Sequence, residues 1–227
     1  MKRIDVLDGQ GWVVLEDSYG DDLAIVNAAR QSFSKRSATM GPAESGLIHF
    51  LMRNRHGTPF EMVDFRFNIK APIFVAREWQ RHRIASYNEM SGRYVELEEE
   101  FYLPPLAAVR EASGKPGAYQ FETMDGETAA LVRERMRRDY EGSWITYQSL
   151  LELGVAKEVA RMVLPVGIMT QFTFKTNLRS LFNFISLRSA PNALLEIREY
   201  AGAIEELARD VAPIAFKAFE SSNRVAP

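Results

Sequence analysis

The densest run of reactive side chains is Arg81-His82-Arg83-Ile84-Ala85-Ser86-Tyr87-Asn88-Glu89-Met90-Ser91-Gly92-Arg93-Tyr94. Three arginines, one histidine, two serines, an asparagine and a glutamate fall within fourteen residues. Guanidinium forks grip phosphate through paired N–H donors. A glycine beside a serine lets backbone N–H groups come close to an anion. Any one of these arginines, taken alone, reads as a solvated surface charge. The whole cluster, bracketed by apolar Phe74-Val75 and Tyr94, points to a nucleotide or phosphate site.

Composition narrows the chemistry. The chain has 227 residues, a formal net charge of −2 and no cysteine. Disulfides, thiolate zinc sites, cysteine-ligated iron–sulfur clusters and a cysteine nucleophile are therefore excluded. Redox chemistry must come from a bound cofactor. The near-neutral charge argues against a dedicated nucleic-acid module. Only His49, His56 and His82 are available as imidazole ligands. No His-Glu-x-x-His pattern accompanies them, so no metal is expected. There is no Gly-x-Gly-x-x-Gly and no P-loop, so a dinucleotide would not use a Rossmann site. The charged start Met1-Lys2-Arg3-Ile4-Asp5 and the lack of a long apolar run predict a cytoplasmic protein with no membrane contact.

The elements that must position the cluster read as one α/β domain over residues 1–227. Ile4 to Leu15 reads as one or two strands, and Asp21-Asp22 opens a helix through Arg30. Residues 32–40 read as a loop, and Pro42 starts a second helix that ends at His56-Gly57-Thr58-Pro59. Phe60 to Lys70 alternates, with Val63, Phe65, Phe67 and Ile69 on one face, as a half-buried strand does. Pro72 is expected in the first turn of a helix through Trp79, and residues 81–94 mostly in a structured loop. Residues 104–124 are linker-like, within a variable excursion spanning 104–125. A long helix from about Gly126 places Val132, Met136, Tyr140, Trp144, Tyr147 and Leu151 on one stripe, with Gly154 as its cap. A helix over Glu158–Leu164, a strand over Gly167–Lys175 and a helix over Leu178–Leu187 follow. From Asn192 one last long helix carries Leu195, Ile197, Tyr200, Ile204, Leu207 and Val211.

The arginine-rich segment resembles the signature of the flavin-dependent thymidylate synthases: Arg81-His82-Arg83, seven residues, then Ser91. The likeness runs on through Asn88, Glu89, Gly92, Arg93 and Tyr94. His56-Gly57-Thr58-Pro59-Phe60-Glu61, the Ala28–Phe33 segment, Val159–Pro165 and Asn177–Arg188 resemble further family segments in the same order. The resemblance implies a mainly antiparallel sheet flanked by helices, assembled as a homotetramer with sites shared between subunits. It implies reductive methylation of dUMP to dTMP. FAD is the implied cofactor, with 5,10-methylenetetrahydrofolate as carbon donor and NADPH as reductant. NADPH would reduce the flavin and leave before the methylene carbon is resolved.

Carried over by position, Glu78, Trp79, Gln80, Arg81, Glu89, Met90, Ser91, Gly92, Arg93, Arg161 and Arg188 belong to the nucleotide site. Arg188 is the implied catalytic residue, since a guanidinium at the uracil edge stabilises charge as N3 ionises and enriches C5. Ser91 is expected to position the nucleotide, because no base stands beside it to activate its hydroxyl. The flavin set is Ser32, His56, Thr58, Glu61, Arg81, His82, Arg83, Ile84, Asn88, Glu89, Asn177, Leu178, Arg179 and Asn183. Glu78, Met62 and Asn192 depart from residues common in the family. Two other readings compete. In one, the arginine loop grips single-stranded nucleic acid, with Trp79, Tyr87 and Tyr94 as stacking platforms. In the other, the protein is an assembly that has lost its activity.

Overall fold

The computed structural model describes residues 2–115 and 118–227. Strands β1 (Arg3–Val6) and β2 (Gly11–Tyr19) pair antiparallel. They lead into helices α1 (Asp22–Arg30) and α2 (Pro42–Arg53). Strand β3 (Asp64–Pro72) runs into α3 (Ile73–Trp79), and β4 (Ser86–Glu89) follows. Next come the hairpin β5 (Arg110–Lys115) and β6 (Ala118–Thr123), then α4 (Gly126–Glu152) and the short α5 (Lys157–Ala160). Strand β7 (Met169–Asn177) precedes α6 (Leu178–Arg188), α7 (Leu195–Arg209) and α8 (Pro213–Ser221). The antiparallel sheet has the order β1-β2-β3-β7-β4, and with its helices it is the antiparallel, helix-flanked arrangement that the resemblance implies.

By its contacts the chain divides into two compact units. One comprises Met1–Ile69, Trp79–Asn88 and Phe172–Pro227; the other comprises Lys70–Glu78 and Glu89–Gln171. They interleave along the sequence, so no single cut separates them.

The core of the first unit is aromatic. Phe182 stacks on Phe219 at 4.5 Å between ring centroids and meets Phe60 edge-on. Trp79 lies within 6 Å of Phe172, Phe174, Phe184 and Tyr200. Such ring pairs add to the free energy of burying large apolar area. Asp22 ties α1 to α8: its two carboxylate oxygens accept from Ile214 N and Ala215 N at 2.8 and 2.9 Å. With Pro213 lacking an N–H, this satisfies donors at the start of α8 that the helix itself cannot. In the second unit the α4 stripe is the inward face. Trp144 and Tyr147 are buried with Ala160, and Phe101 stacks on Tyr140 at 4.8 Å.

Several expectations need correction. The segment 81–94 is mostly irregular, as expected, but the short strand β4 in its middle was not foreseen. Residues 104–124 form a 3-10 turn and the β5–β6 hairpin; residues 116 and 117 of that stretch lie outside the described residues, as does Met1. Pro72 ends β3 rather than starting α3. The helix expected over Glu158–Leu164 is α5 followed by a 3-10 turn over Arg161–Val163. The last long helix is α7, as expected, and a further helix that the sequence reading did not include, α8, opens at Pro213.

Candidate active site

Strand β7 sets the site's geometry. Its buried parity is Thr170, Phe172, Phe174, Thr176. Two phenylalanines face the core, and a threonine stands at each end. A buried hydroxyl needs a partner. Thr170 Oγ1 donates to Glu89 Oε1 at 2.7 Å, and Thr176 Oγ1 donates to the Ile84 carbonyl at 3.1 Å. Both ends of the 84–89 segment are thereby fixed. Tyr87, between them, stacks on Phe174 at 5.4 Å and donates its hydroxyl to the Trp79 and His82 carbonyls. Burial pushes the Tyr87 hydroxyl well above its ordinary range, so it remains a donor.

In the first unit a cavity of about 1080 Å³ opens beside this segment. Arg81, His82, Arg83 and Ile84 line it from the loop, Asn177 from the end of β7, and Arg179, Asn183 and Arg188 from α6. Four guanidiniums face one carboxylate, Glu61, among the lining residues. Asn177 caps α6, accepting from Ser180 N at 2.9 Å. Arg179 is clamped: Nη1 donates to Glu61 Oε1 at 2.6 Å, and Nε donates to the Pro227 carbonyl at 3.0 Å. Gly57 lets it lie there, because a methyl group at residue 57 would overlap the Arg179 guanidinium. Arg188, at the last turn of α6, donates from Nε to His82 Nε2 at 2.9 Å. The His82 ring meets Phe184 edge-on at 4.9 Å.

A second cavity of the same unit, about 960 Å³, is lined by Ser32, His56, Thr58 and Glu61. Its wall is apolar and aromatic, with Tyr19, Phe33, Phe50 and Met62. Glu61 lines both cavities. An apolar wall for a heterocycle and a cationic wall for phosphates are what a flavin dinucleotide requires. The donor set present fits that group.

In the second unit Ser91, Gly92, Arg93 and Arg161 come together. Gly92 is buried, and a methyl group there would lie 3.2 Å from Arg161 Cδ. Arg93 N–H is 3.3 Å from Ser91 Oγ. Arg93 Nε donates to Glu158 at 2.8 Å, and its guanidinium lies 5.8 Å from the Tyr94 ring centroid. Glu89, held by Thr170, and the exposed Met90 lie in this unit too; Glu78 is half-buried at the end of its α3 segment.

Not every expected residue reaches a surface. Trp79 and Leu178 are fully buried in the apolar core of the first unit. Gln80 and Asn88 are exposed in the first unit but line neither cavity. The sequence reading missed Gly57, Glu158, Thr170 and Thr176. The threonines carried a signal: a hydroxyl on the apolar parity of a strand marks a fixed partner.

Among the described residues, no three His, Asp or Glu gather to hold a metal ion, and no helix is long and apolar enough to cross a membrane.

The family model described as thymidylate synthase complementing protein matches residues 13–214. A flavin-dependent thymidylate synthase of Thermus thermophilus is 49% identical over 217 residues, covering 96% of this chain and 78% of that protein. One of Thermotoga neapolitana is 44% identical, covering 96% and 94%. The UMP/dUMP methylase PolB from Streptomyces cacaoi, solved with 5-Br dUMP, superposes with a TM-score of 0.89 at 37% identity, covering 96% and 97%. Identity at this level over nearly the whole chain, joined to a shared fold, makes this protein a member of the flavin-dependent thymidylate synthase family.

Proposed function

We propose that the protein methylates dUMP to dTMP, with FAD as cofactor, 5,10-methylenetetrahydrofolate as carbon donor and NADPH as reductant, as a cytoplasmic homotetramer whose sites are shared between subunits. The observation that carries this reading is the cavity where Arg188 joins Arg81, Arg83 and Arg179. Arg81, His82, Arg83, Asn177, Arg179 and Asn183 would hold the flavin, with Ser32, Thr58 and Glu61 from the apolar cavity. A flavin held there would supply the hydride that completes the methyl group. Arg188 stabilises the negative charge of an ionised uracil, which makes C5 nucleophilic. No thiolate can do this by addition at C6, because the chain has no cysteine. Ser91, Arg93 and Arg161 bind the phosphate, aided by backbone N–H groups around Gly92. Glu89, oriented by Thr170, accepts from sugar or cofactor hydroxyls.

An anaerobic assay with dUMP, methylenetetrahydrofolate and NADPH, following thymidylate, tests the reading directly. A protein that cannot be loaded with FAD, and binds oligonucleotides with a steep salt dependence, overturns it.

Two further outcomes follow from the contacts. The Arg93–Glu158 pair is exposed on both sides, 55% and 51%, so it costs little to break. Glu158→Gln is expected to lower KM for dUMP by about two- to fivefold with kcat unchanged; steady-state kinetics read this. Gly57→Ala is expected to fold normally, because Arg179 is a flexible side chain that can swing away. It should then lose the Glu61 clamp and weaken flavin binding by about tenfold, near 1.4 kcal/mol. Flavin titration and a melting curve separate the two effects.

A further inference from the structure

We propose that His82 is the positioning residue for Arg188, working as a neutral hydrogen-bond acceptor whose protonation releases the guanidinium. Arginine carries only donors and stays charged throughout the accessible pH range. The 2.9 Å bond from Arg188 Nε to His82 Nε2 therefore requires a lone pair on Nε2. That fixes the imidazole as neutral with its proton on Nδ1. The backbone that carries the ring is tied down on both sides. Its carbonyl accepts from the Tyr87 hydroxyl at 2.8 Å, and its backbone N–H donates to the Trp79 carbonyl at 3.0 Å. The ring itself packs on Phe184, one helical turn before Arg188.

Protonation of Nε2 would put a donor against a donor and a second positive charge beside the first. The charged groups lining the same cavity reinforce this. Arg81 and Arg83 come from the loop of His82 itself, Arg179 from α6 and Glu61 from the 58–62 turn. Glu61 is already engaged by Arg179. Acidification thus unseats Arg188. The catalytic consequence rests on the function proposed above; the pairing itself does not.

The test uses the full-length protein with its histidine rings labelled with ¹⁵N. With only three histidines in the chain, the His82 signals are assigned by their loss in His82→Gln. In the wild type the His82 Nε2 should carry the lone pair at neutral pH. In Arg188→Ala the His82 titration should move to higher pH by about one unit or more, because a neighbouring positive charge has been removed. This arm needs no activity and stands even if no thymidylate is formed.

The second arm uses the same His82→Gln variant. Its amide carbonyl can accept from Arg188 but cannot titrate. The variant should therefore lose the acid limb of the pH profile for thymidylate formation, whatever its plateau. His82→Phe, with no acceptor, should be impaired at every pH. Equal His82 titrations in wild type and Arg188→Ala, or an acid limb that survives unchanged in His82→Gln, overturn the proposal.

Discussion

Arg188→Ala is expected to keep the fold and the bound flavin while cutting thymidylate formation by about 10²–10³-fold. The reason is where the side chain sits. It is half-buried at the last turn of α6, on a cavity wall whose other cations are Arg81, Arg83 and Arg179. A donor fixed before the reaction stabilises developing charge without reorganising. Arg179, the other guanidinium on the same helix, cannot replace it, because it is committed to Glu61 and Pro227. Reduction of the flavin by NADPH, the reductant in the function proposed above, should proceed in the variant, because that step does not involve the uracil. Stopped-flow bleaching of the flavin, set against thymidylate yield, makes the comparison. Unchanged turnover removes Arg188 from the mechanism.

The second large effect is on stability. Asp22→Ala leaves two backbone N–H groups at the start of α8 without their acceptor. Buried donors stripped of a partner cost about 1–3 kcal/mol each, so roughly 2–6 kcal/mol in all. Asp22→Asn keeps one acceptor oxygen and should lose less. The carboxyl also carries a pH signature. Burial raises its pKa above the ordinary 3.8, only partly offset by the Ile214 and Ala215 N–H groups. The folded state therefore holds the proton to higher pH than the unfolded chain does. The contribution of this group is complete below the ordinary carboxylate pKa and declines as pH rises through the raised value. Urea unfolding of wild type and Asp22→Asn across that window should show the difference between them narrowing or inverting with rising pH.

What the sequence disclosed followed burial. The alternation of Val63, Phe65, Phe67 and Ile69 announced β3, and all four are buried. The α4 stripe was equally clear, because one face of that helix is covered and the other is wet. Strand β4 was hidden because its residues are mostly exposed and so carry no apolar alternation. The hairpin was hidden for the same reason. Its order comes from cross-strand pairs such as Ala112 with Phe121, which no local pattern reveals. At the site, the motifs and their order could be read, but the pairings could not. Arg188 meets His82 across 106 residues, and Arg179 meets Glu61 across 118. Such contacts belong to the fold rather than to spacing.

The burial of Trp79 has a practical side. Its indole lies 4.8 Å from Phe184, and Phe184 lies 4.9 Å from the His82 ring on the cavity wall. The protein thus carries an intrinsic optical probe behind the wall of that cavity. In a protein with Trp12 and Trp144 changed to phenylalanine, Trp79 emission should be blue-shifted by its apolar surroundings. Excitation energy transfer should quench it as flavin enters the cavity. Loading could then be followed in real time without any external label.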